Sequence, residues 1–251
     1  MTLPELSREQ LLRYSRHVML PSFDMLGQER LLQAKVLVVG MGGLGCAAVP
    51  YLSGSGVGQI TLVDADVVDA HNLPRQHLFG PEHVGQPKVD VAIERLQPQA
   101  PDCRFISLRE YVDASRLNAL VSNYDVVLDC SDNLATRNAI NQACVDANVP
   151  LVSGAAIRYE GQVSVFLNDG HHACYQCLSL LFGDQQLSCM EAGILAPVVG
   201  VIGTMQAVET LKLIAQVGEP ISGRVLLYDG LHGEWQAFKL ARHPHCKACS
   251  D

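Results

Sequence analysis

The stretch VLVVGMGGLGCAAVPYLSGSGVGQITLVDAD, residues 36 to 66, decides the fold of this chain. An apolar, β-branched run precedes glycines spaced as G-x-G-x-x-G at the start of a helical pattern, and a second apolar run ends at Asp64. Such glycines let the backbone turn tightly beside a phosphate, and the carboxylate can accept hydrogen bonds from ribose hydroxyls. The stretch therefore predicts a βαβ unit that binds an adenosine nucleotide. Glycines that serve helix packing alone are the alternative.

Strand and helix patterns keep alternating to about residue 153, which predicts an α/β fold with a Rossmann-like, mostly parallel sheet and helices on both faces. Beyond residue 154 the strand patterns lack regular intervening helices, which favours antiparallel C-terminal strands. We expect one domain, with N-terminal helices at 1–34, a nucleotide-binding core at 35–153, and antiparallel strands, a crossover loop and a zinc-bearing part at 154–251. The predicted helices are 7–18, 27–34, 87–97, 113–121, 133–147 and 198–216, and the predicted strands are 35–39, 60–63, 104–108, 125–129, 151–153, 161–166, 224–229 and 234–240.

Composition limits the class of protein. The net charge of −8 argues against nucleic acid as the main partner, because binding to a phosphate backbone needs a basic face. The segment MTLPELSREQ has no apolar signal region, and the most apolar long segment, 193–205, is interrupted by Pro197. We therefore expect a soluble cytoplasmic protein without membrane contact. The odd count of 9 cysteines favours metal ligands or buried thiols over a disulfide framework.

Two cationic motifs follow the second strand. NLPRQ carries Asn72 and Arg75, and GQPK carries Lys88 at the start of a helix. An amide and two cations beside a nucleotide turn suit a triphosphate, because its charge must be neutralised before an anionic nucleophile can approach. An ordinary solvated loop is the alternative interpretation.

The fourth predicted strand ends in LDCSDN, which puts Asp129 and Asp132 at the carboxyl edge of the sheet, where open α/β sheets bind ligands. Magnesium prefers one or two carboxylates together with phosphate oxygens. One of these two acids is therefore a candidate magnesium ligand. Asp132 also fits the N-cap of the following helix, and the two roles are compatible.

Two C-x-x-C pairs predict a structural zinc site. Four thiolates match a closed tetrahedral site without an open position for catalysis, and the ion would attach the C-terminal tail to the body of the protein. Redox motifs are the alternative, although neither pair opens the helix of a thioredoxin-like unit. The predicted ligands are Cys174, Cys177, Cys246 and Cys249, with His171, His172, His243 and His245 nearby as alternative ligands.

The remaining cysteines fall into two groups. Cys189 lies in the polar loop QQLSCMEAG, where an unpaired thiol is either a nucleophile or a bystander, because no base is evident beside it. Cys46, Cys103, Cys130 and Cys144 lie in predicted strands or helices, so we expect them to be core residues.

Seven motifs occur in one order along the chain: RYSRH, VGMGGLG, NLPRQ, GQPK, DCSDN, PLVSGAAIRYEGQVSVF and CYQCL. Together they resemble the MoeB/ThiF family, bacterial relatives of the ubiquitin-activating enzymes, over nearly the whole chain. SGAAIRYEGQ, and CLSLLFG followed by CMEAG, resemble the molybdopterin-synthase branch more than the thiamine-pathway branch.

The resemblance implies an enzyme that uses ATP and magnesium to adenylate the C-terminal glycine of a small ubiquitin-fold sulfur-carrier protein, with release of pyrophosphate. The branch implies the small subunit of molybdopterin synthase as the carrier, in molybdenum cofactor biosynthesis, and the thiamine-pathway carrier is the alternative. A carboxylate attacks the α-phosphate directly, so such a site needs positioning and charge neutralisation rather than a side-chain nucleophile. A homodimer is also implied, together with a separate sulfur donor, since no sulfurtransferase-like extension follows Asp251.

The resemblance further implies roles for single residues. It places Gly43 at the phosphate, Asp64 on the ribose and Asp132 on magnesium, and it makes Arg16 an arginine supplied by the second subunit. The four paired cysteines correspond to zinc ligands. The implied catalytic residues are Arg16, Arg75, Lys88 and Asp132. The implied nucleotide-binding residues are Gly40, Gly42, Gly43, Gly45, Asp64, Asp66, Asn72, Arg75, Lys88, Asp132 and Asn133.

Three residues depart from the family pattern: Met41 replaces a leucine, Pro74 a glutamine and Ser131 a threonine. Proline at position 74 removes a backbone donor next to Arg75, which argues against an amide-to-phosphate contact there. The loop cysteine that matches Cys189 takes part in covalent chemistry in some relatives, but adenylation does not require it. We expect the stretch 179–193 to cover the tail of the carrier.

Two other classes of function remain open. A nicotinamide-dependent oxidoreductase would explain the glycine turn and Asp64 but neither the cationic motifs nor the cysteine pairs. A non-catalytic scaffold for a ubiquitin-fold partner is the second alternative, and the presence of Arg16, Lys88 and Asp132 together argues against it.

Overall fold

A computed structural model describes residues 5–182 and 192–250. Its strands are β1 Lys35–Val39, β2 Gln59–Val63, β3 Arg104–Leu108, β4 Val126–Asp129, β5 Leu151–Ile157, β6 Glu160–Phe166, β7 Arg224–Asp229 and β8 Glu234–Lys239. They form one sheet in the order β3-β2-β1-β4-β5-β6-β7-β8. β1 to β5 pair in parallel, whereas β6, β7 and β8 are added antiparallel. The predicted α/β class, with a mostly parallel sheet and antiparallel C-terminal strands, is confirmed.

Helices lie between most of the strands. A capping box at Ser7 begins the first helix, but this helix ends at Arg13 and a second begins at Ser15, so the predicted helix 7–18 is divided in two. Tyr14 separates them, with its ring buried and its hydroxyl donating to Asp102 Oδ2 at 2.7 Å. The helices are α1 Arg8–Arg13, α2 Ser15–Val18, α3 Asp24–Gln33, α4 Gly43–Gly54, α5 Lys88–Leu96, α6 Ala114–Val121, α7 Leu134–Ala147, α8 Tyr175–Phe182 and α9 Ala196–Ala215.

The sheet is covered on both faces, because alternate residues of each central strand point to opposite sides. In β1, Val36 and Val38 belong to an apolar cluster with α4, α5 and α9, whereas Leu37 and Val39 belong to a second cluster with α6, α7 and α8. A strand buried on both faces has a continuous apolar sequence, which is the pattern of KVLVV in β1.

The most apolar segment contributes the first half of α9, which begins at Ala196, two residues before the predicted start of this helix. Pro197 lies in the first turn of α9 and does not interrupt it, because the first helical amides have no intrahelical acceptor. With 20 residues, α9 is long and apolar enough to span a membrane, yet more than half of its apolar window is buried inside the protein. It packs against α4 and the sheet, so it is a core helix of this fold.

Small residues let α9 approach its neighbours closely. A Cβ added to Gly203 would lie 2.5 Å from the carbonyl oxygen of Leu44 and 2.7 Å from Cβ of Ala47, both on α4. One turn further on, Gln206 donates to the carbonyl oxygens of Asp129 at 2.8 Å and Val152 at 3.3 Å. α9 thereby fixes the first turn of α4 to the carboxyl end of β4 and the start of β5.

We expect Gly203→Ala to lower the free energy of unfolding by about 1–3 kcal/mol, because the new methyl group overpacks the contact between α9 and α4. Gly200→Ala is a matched control in the same helix, since its Cβ would meet no atom of residues 5–182 or 192–250 within 4 Å. It should raise stability by about 0.5–1 kcal/mol through helix propensity. Urea unfolding of both variants checks the prediction, and equal effects would contradict it.

Candidate functional site

The glycine turn lies between β1 and α4, at the carboxyl edge of the sheet. Gly40 has φ +100°, a conformation that L side chains rarely adopt, and its Cβ would lie 2.6 Å from the carbonyl oxygen of Cys130. The Cβ of a residue at position 45 would collide with the carbonyl oxygen of Gly40, and that at position 43 would lie 2.7 Å from Cγ2 of Val199. Internal packing therefore explains three of the four glycines.

Gly42 is different, because a Cβ there would meet only Nε2 of Gln76, at 3.8 Å, among the described residues. It is the N-cap of α4, where the first backbone amides have no intrahelical acceptor and the helix dipole favours an anion. The space over Gly42 is thus the part of the turn that suits a phosphate.

Asp64 follows β2 and connects the turn to the next loop. Its Oδ2 accepts a hydrogen bond from the amide of Met41 at 2.7 Å, and its Oδ1 accepts one from the amide of Asp66 at 2.8 Å. Burial raises the pKa of Asp64 above its usual value. Each carboxylate oxygen keeps a further lone pair, so the side chain can still accept bonds from ribose hydroxyls.

Asp66 and Lys88 form an ion pair beside Asp64. Lys88 Nζ lies 2.8 Å from Asp66 Oδ2, with 7% of the Lys88 side chain exposed. The hydroxyl of Tyr111 donates to Asp66 Oδ1 at 3.1 Å. Partial desolvation opposes ionisation of Asp66, but the hydrogen bond and charge of Lys88 prevail and lower its pKa. The ion pair therefore places a buried ammonium group at this edge of the sheet.

NLPRQ forms a compact turn after a short 3₁₀ helix at Ala70–Asn72. Asn72 is buried, and its carbonyl oxygen accepts the amides of Arg75 at 3.1 Å and Gln76 at 3.0 Å. Nη1 of Arg75 donates to the carbonyl oxygen of His71 at 3.0 Å. These bonds fix the backbone that carries the predicted cation and bring Gln76 against the glycine turn.

The two acids of LDCSDN have separate environments. Asp129 is buried; its oxygens accept bonds from the hydroxyls of Ser131 at 2.6 Å and Ser153 at 3.0 Å, and Arg137 Nη1 lies at 3.6 Å. The N-cap of α7 is Asn133, whose Oδ1 accepts the amide of Thr136 at 2.9 Å. The capping interpretation of Asp132 is therefore wrong. Asp132 is exposed, and it is the acid of this pair that can reach a ligand.

Most of the predicted nucleotide residues thus meet at one edge of the sheet. The backbone of Cys130 and Ser131 touches Gly40, which brings the DCSDN loop to the glycine turn. Arg16 lies elsewhere. It follows Tyr14, whose ring packs against Gly56 just beyond the end of α4, and the 12 residues of α4 span about 18 Å from the turn.

The four paired cysteines converge on one point. All four Sγ atoms lie within 4.8 Å of one another. Cys174 is 4.0 Å from Cys177 and 3.6 Å from Cys246, and Cys177 is 3.6 Å from Cys249. Four sulfurs at about 2.3 Å from a tetrahedral Zn²⁺ are about 3.8 Å apart, so the cluster fits zinc. Contacts between the two pairs are shorter than the contact within the first pair, which favours a shared ion over two redox motifs.

Charge also favours a cation at this cluster. Burial raises the pKa of Cys174 and of Cys177, so these thiols need a positive charge to ionise. Burial also disfavours the Cys246 thiolate, but backbone amides of Cys249 and Ala248 donate to it and lower its pKa. Among the described residues no histidine joins the cluster. The neighbouring histidines are therefore not ligands in this arrangement.

The other cysteines that the structure describes are core residues, as predicted. Cys46, Cys103, Cys130 and Cys144 are buried. Burial raises the pKa of Cys46 and of Cys103 to about 12, so neither is a reactive thiol. Cys189, and with it most of the stretch expected to cover the carrier's tail, lies outside the described residues.

Sequence reasoning missed two residues at this edge. Tyr111 comes shortly after β3, is 84% exposed and holds Asp66, but nothing in its sequence context marks it. Gln76 ends the motif NLPRQ, which was the available signal, yet only the fold shows that it is buried beside Gly42.

Comparison with known proteins identifies similar chains. The model of the ThiF family matches residues 14–248. A molybdopterin-synthase adenylyltransferase of Salmonella typhimurium is 48% identical over 245 residues, 98% of each chain. A sulfur carrier protein ThiS adenylyltransferase of Escherichia coli is 40% identical over 238 residues, 95% of this chain and 94% of that one. The structure of Escherichia coli MccB with ATP superposes with a TM-score of 0.83 at 25% identity, covering 95% of this chain and 74% of that chain.

We expect about one zinc ion per chain in protein purified without added metal, because the four thiolates form a closed site. Cys174→Ser should lose the ion, whereas Cys103→Ala, which removes a buried thiol outside the cluster, should keep it. Elemental analysis of the three proteins measures this. Metal-free wild-type protein with Cys174 in a disulfide would contradict the assignment.

Proposed function

This chain belongs to the ThiF family, and from that premise we propose that it uses ATP to adenylate the C-terminal glycine carboxylate of the small ubiquitin-fold subunit of molybdopterin synthase. The observation that carries the proposal is the group of charges at the carboxyl edge of the sheet. A buried cation, Lys88, and an exposed carboxylate, Asp132, lie on either side of a glycine turn that is open above Gly42.

In this proposal the glycine turn and the first amides of α4 hold the phosphates, and Asp64 accepts the ribose hydroxyls. Lys88 and Arg75 neutralise the triphosphate so that the carboxylate of the carrier can approach the α-phosphorus. Attack forms the bond between the carboxylate oxygen and phosphorus, and the bond to pyrophosphate breaks. Because the substrate itself is the nucleophile, the site needs no activated serine or cysteine.

Asp132 would hold magnesium, which supplies positive charge at the phosphate oxygens. The side chain suits this role because it is exposed and is not used as the helix cap, whereas Asp129 is surrounded by internal donors. The amide of Asn133 would lie beside the phosphates in the same loop.

The carrier of the molybdenum pathway is favoured over the thiamine-pathway carrier by the relatives. The similar chain named for molybdopterin synthase is 48% identical, against 40% for the one named for ThiS. We therefore assign the thiamine-pathway carrier as the alternative substrate of the same chemistry. Pyrophosphate exchange measured in parallel with the two carriers distinguishes them.

A homodimer would complete the site. Arg16 is exposed at the far end of α4 from the glycine turn of its own chain, so it can act on a nucleotide only if a second copy brings it there. Large apolar side chains on the N-terminal helices support such a contact, because a patch of this kind marks an interface. They are Leu12, Met19, Leu20, Met25 and Leu26.

Sulfur would reach the activated carboxylate from a separate protein. Outside the zinc cluster, the thiols that the structure describes are buried and carry raised pKa values, so they cannot deliver sulfur. The same cysteines form no disulfides in the described parts of the chain, which supports the reducing cytoplasm as the compartment.

We expect wild-type protein to catalyse carrier-dependent exchange of pyrophosphate with ATP and Asp132→Ala to abolish it, because the phosphate charge is then uncompensated. The variant should keep the wild-type thermal unfolding midpoint. Asp146→Ala is the matched control, since that aspartate is exposed at the opposite end of α7 and should be dispensable. Wild-type exchange in Asp132→Ala would refute the role of this residue.

A second test addresses Arg16. Arg16→Ala and Asp132→Ala should each be inactive, but an equimolar mixture with exchanged subunits should recover about a quarter of the wild-type activity per chain. Half of the dimers are then mixed, and each mixed dimer has one intact site. If Arg16 acted within its own chain, mixing would restore no activity.

A further inference from the structure

Gln76 is a buried glutamine whose side chain makes no hydrogen bond within the described parts of the chain. Its exposed fraction is 2%, and its Oε1 has no partner. Its hydrogen bonds are those of its backbone, to Asn72 and from Phe79. A buried carboxamide without partners costs free energy, because its bonds to water are lost and nothing replaces them.

Two other buried glutamines of the same protein are bonded. Gln206 donates to the carbonyl oxygens of Asp129 and Val152, and Gln28 donates to the carbonyl oxygen of Ser55 at 2.9 Å. Oε1 of Gln28 has no partner either, but each of these two side chains makes at least one hydrogen bond within the fold. Gln76 differs from both, because neither end of its carboxamide is bonded to a described residue, which favours a partner outside the protein.

The position of Gln76 indicates that partner. Nε2 lies 3.8 Å from the point that a Cβ on Gly42 would occupy, so the carboxamide borders the open space over the N-terminus of α4. Asp64 reaches the same turn, because its Oδ2 accepts a hydrogen bond from the amide of Met41, the residue before Gly42. Gln76 and Asp64 thus both adjoin the glycine turn, where the phosphate of a nucleotide would lie next to its ribose.

We infer that Gln76 binds the nucleotide, with Nε2 donating to a phosphate oxygen over Gly42 and Oε1 accepting a hydrogen bond from a ribose hydroxyl. An ionised phosphate offers only acceptors, so it satisfies Nε2 but not Oε1. The ribose hydroxyls are the nearest donors of a nucleotide whose sugar is held by Asp64. This inference rests on the proposed function, because it takes ATP as the ligand.

The test replaces the carboxamide by an apolar side chain of similar shape. Gln76→Met should bind magnesium–ATP about 10-fold more weakly in titration calorimetry, as expected for the loss of hydrogen bonds to a charged ligand. Its unfolding midpoint without nucleotide should be unchanged or higher, because an unsatisfied group has been removed. Gln28→Met is the control, and it should unfold at lower temperature while binding ATP like the wild type.

Deoxynucleotides test the second bond. If Oε1 accepts a hydrogen bond from a ribose hydroxyl, an ATP analogue that lacks this hydroxyl should bind the wild type more weakly than ATP does. The loss of affinity should be smaller in Gln76→Met, which has no such bond to lose. 2′-Deoxy-ATP and 3′-deoxy-ATP test the two hydroxyls separately, and we expect the effect with at least one of them. Equal losses in both proteins for both analogues would overturn the ribose contact. Gln76→Glu, which places a negative charge beside the phosphate, should bind ATP more weakly still and serves if the methionine variant does not fold.

ATP binding measured without the carrier separates the proposed function from the role of Gln76. Wild-type protein that fails to bind ATP would contradict the proposed function itself. Wild-type protein that binds ATP, together with folded Gln76→Met of equal affinity, would overturn the role of Gln76 alone.

Discussion

The candidate site depends on one close contact, at which the glycine turn, the first turn of α4 and the end of β4 meet. Gly40 adopts a positive φ with the backbone of Cys130 against it, and Gly45 packs on its carbonyl oxygen. Gln206 of α9 donates a hydrogen bond to the carbonyl oxygen of Asp129, which fixes the end of β4. Because backbone meets backbone here without intervening side chains, the loops after β1 and β4 are fixed relative to each other, and a ligand between them meets a preorganised surface.

Charge at this surface is arranged before any ligand arrives. Lys88 is almost fully buried, and a buried ammonium group is stable only with a partner, which Asp66 provides with help from Tyr111. The same pairing keeps the cation in place beside Asp64. An incoming triphosphate would therefore meet a positioned charge, so little reorganisation would accompany its binding, while unpartnered groups such as the Gln76 carboxamide would gain bonds.

The zinc cluster serves a different purpose. Cys174 and Cys177 lie at the start of α8, whereas Cys246 and Cys249 lie in the tail beyond β8, and burial raises the pKa of the first two thiols. An ion shared by all four would join the tail to the apolar cluster under α7 and α8. The four cysteines lie far along the chain from the nucleotide residues, and four thiolates would leave no open position on the ion. Both features agree with a structural role.

The sequence by itself determined the class of fold, because KVLVV, the glycine spacing and the acid after β2 are local patterns with few structural solutions. It also identified the four cysteines that converge in the fold, since thiols in two C-x-x-C pairs are specific. The tertiary structure alone decided which of Asp129 and Asp132 is free, because the donors around Asp129 come from other strands and helices. It alone showed that Gln76 is buried without a partner, since burial depends on residues distant in sequence, and spacing carries no information about them.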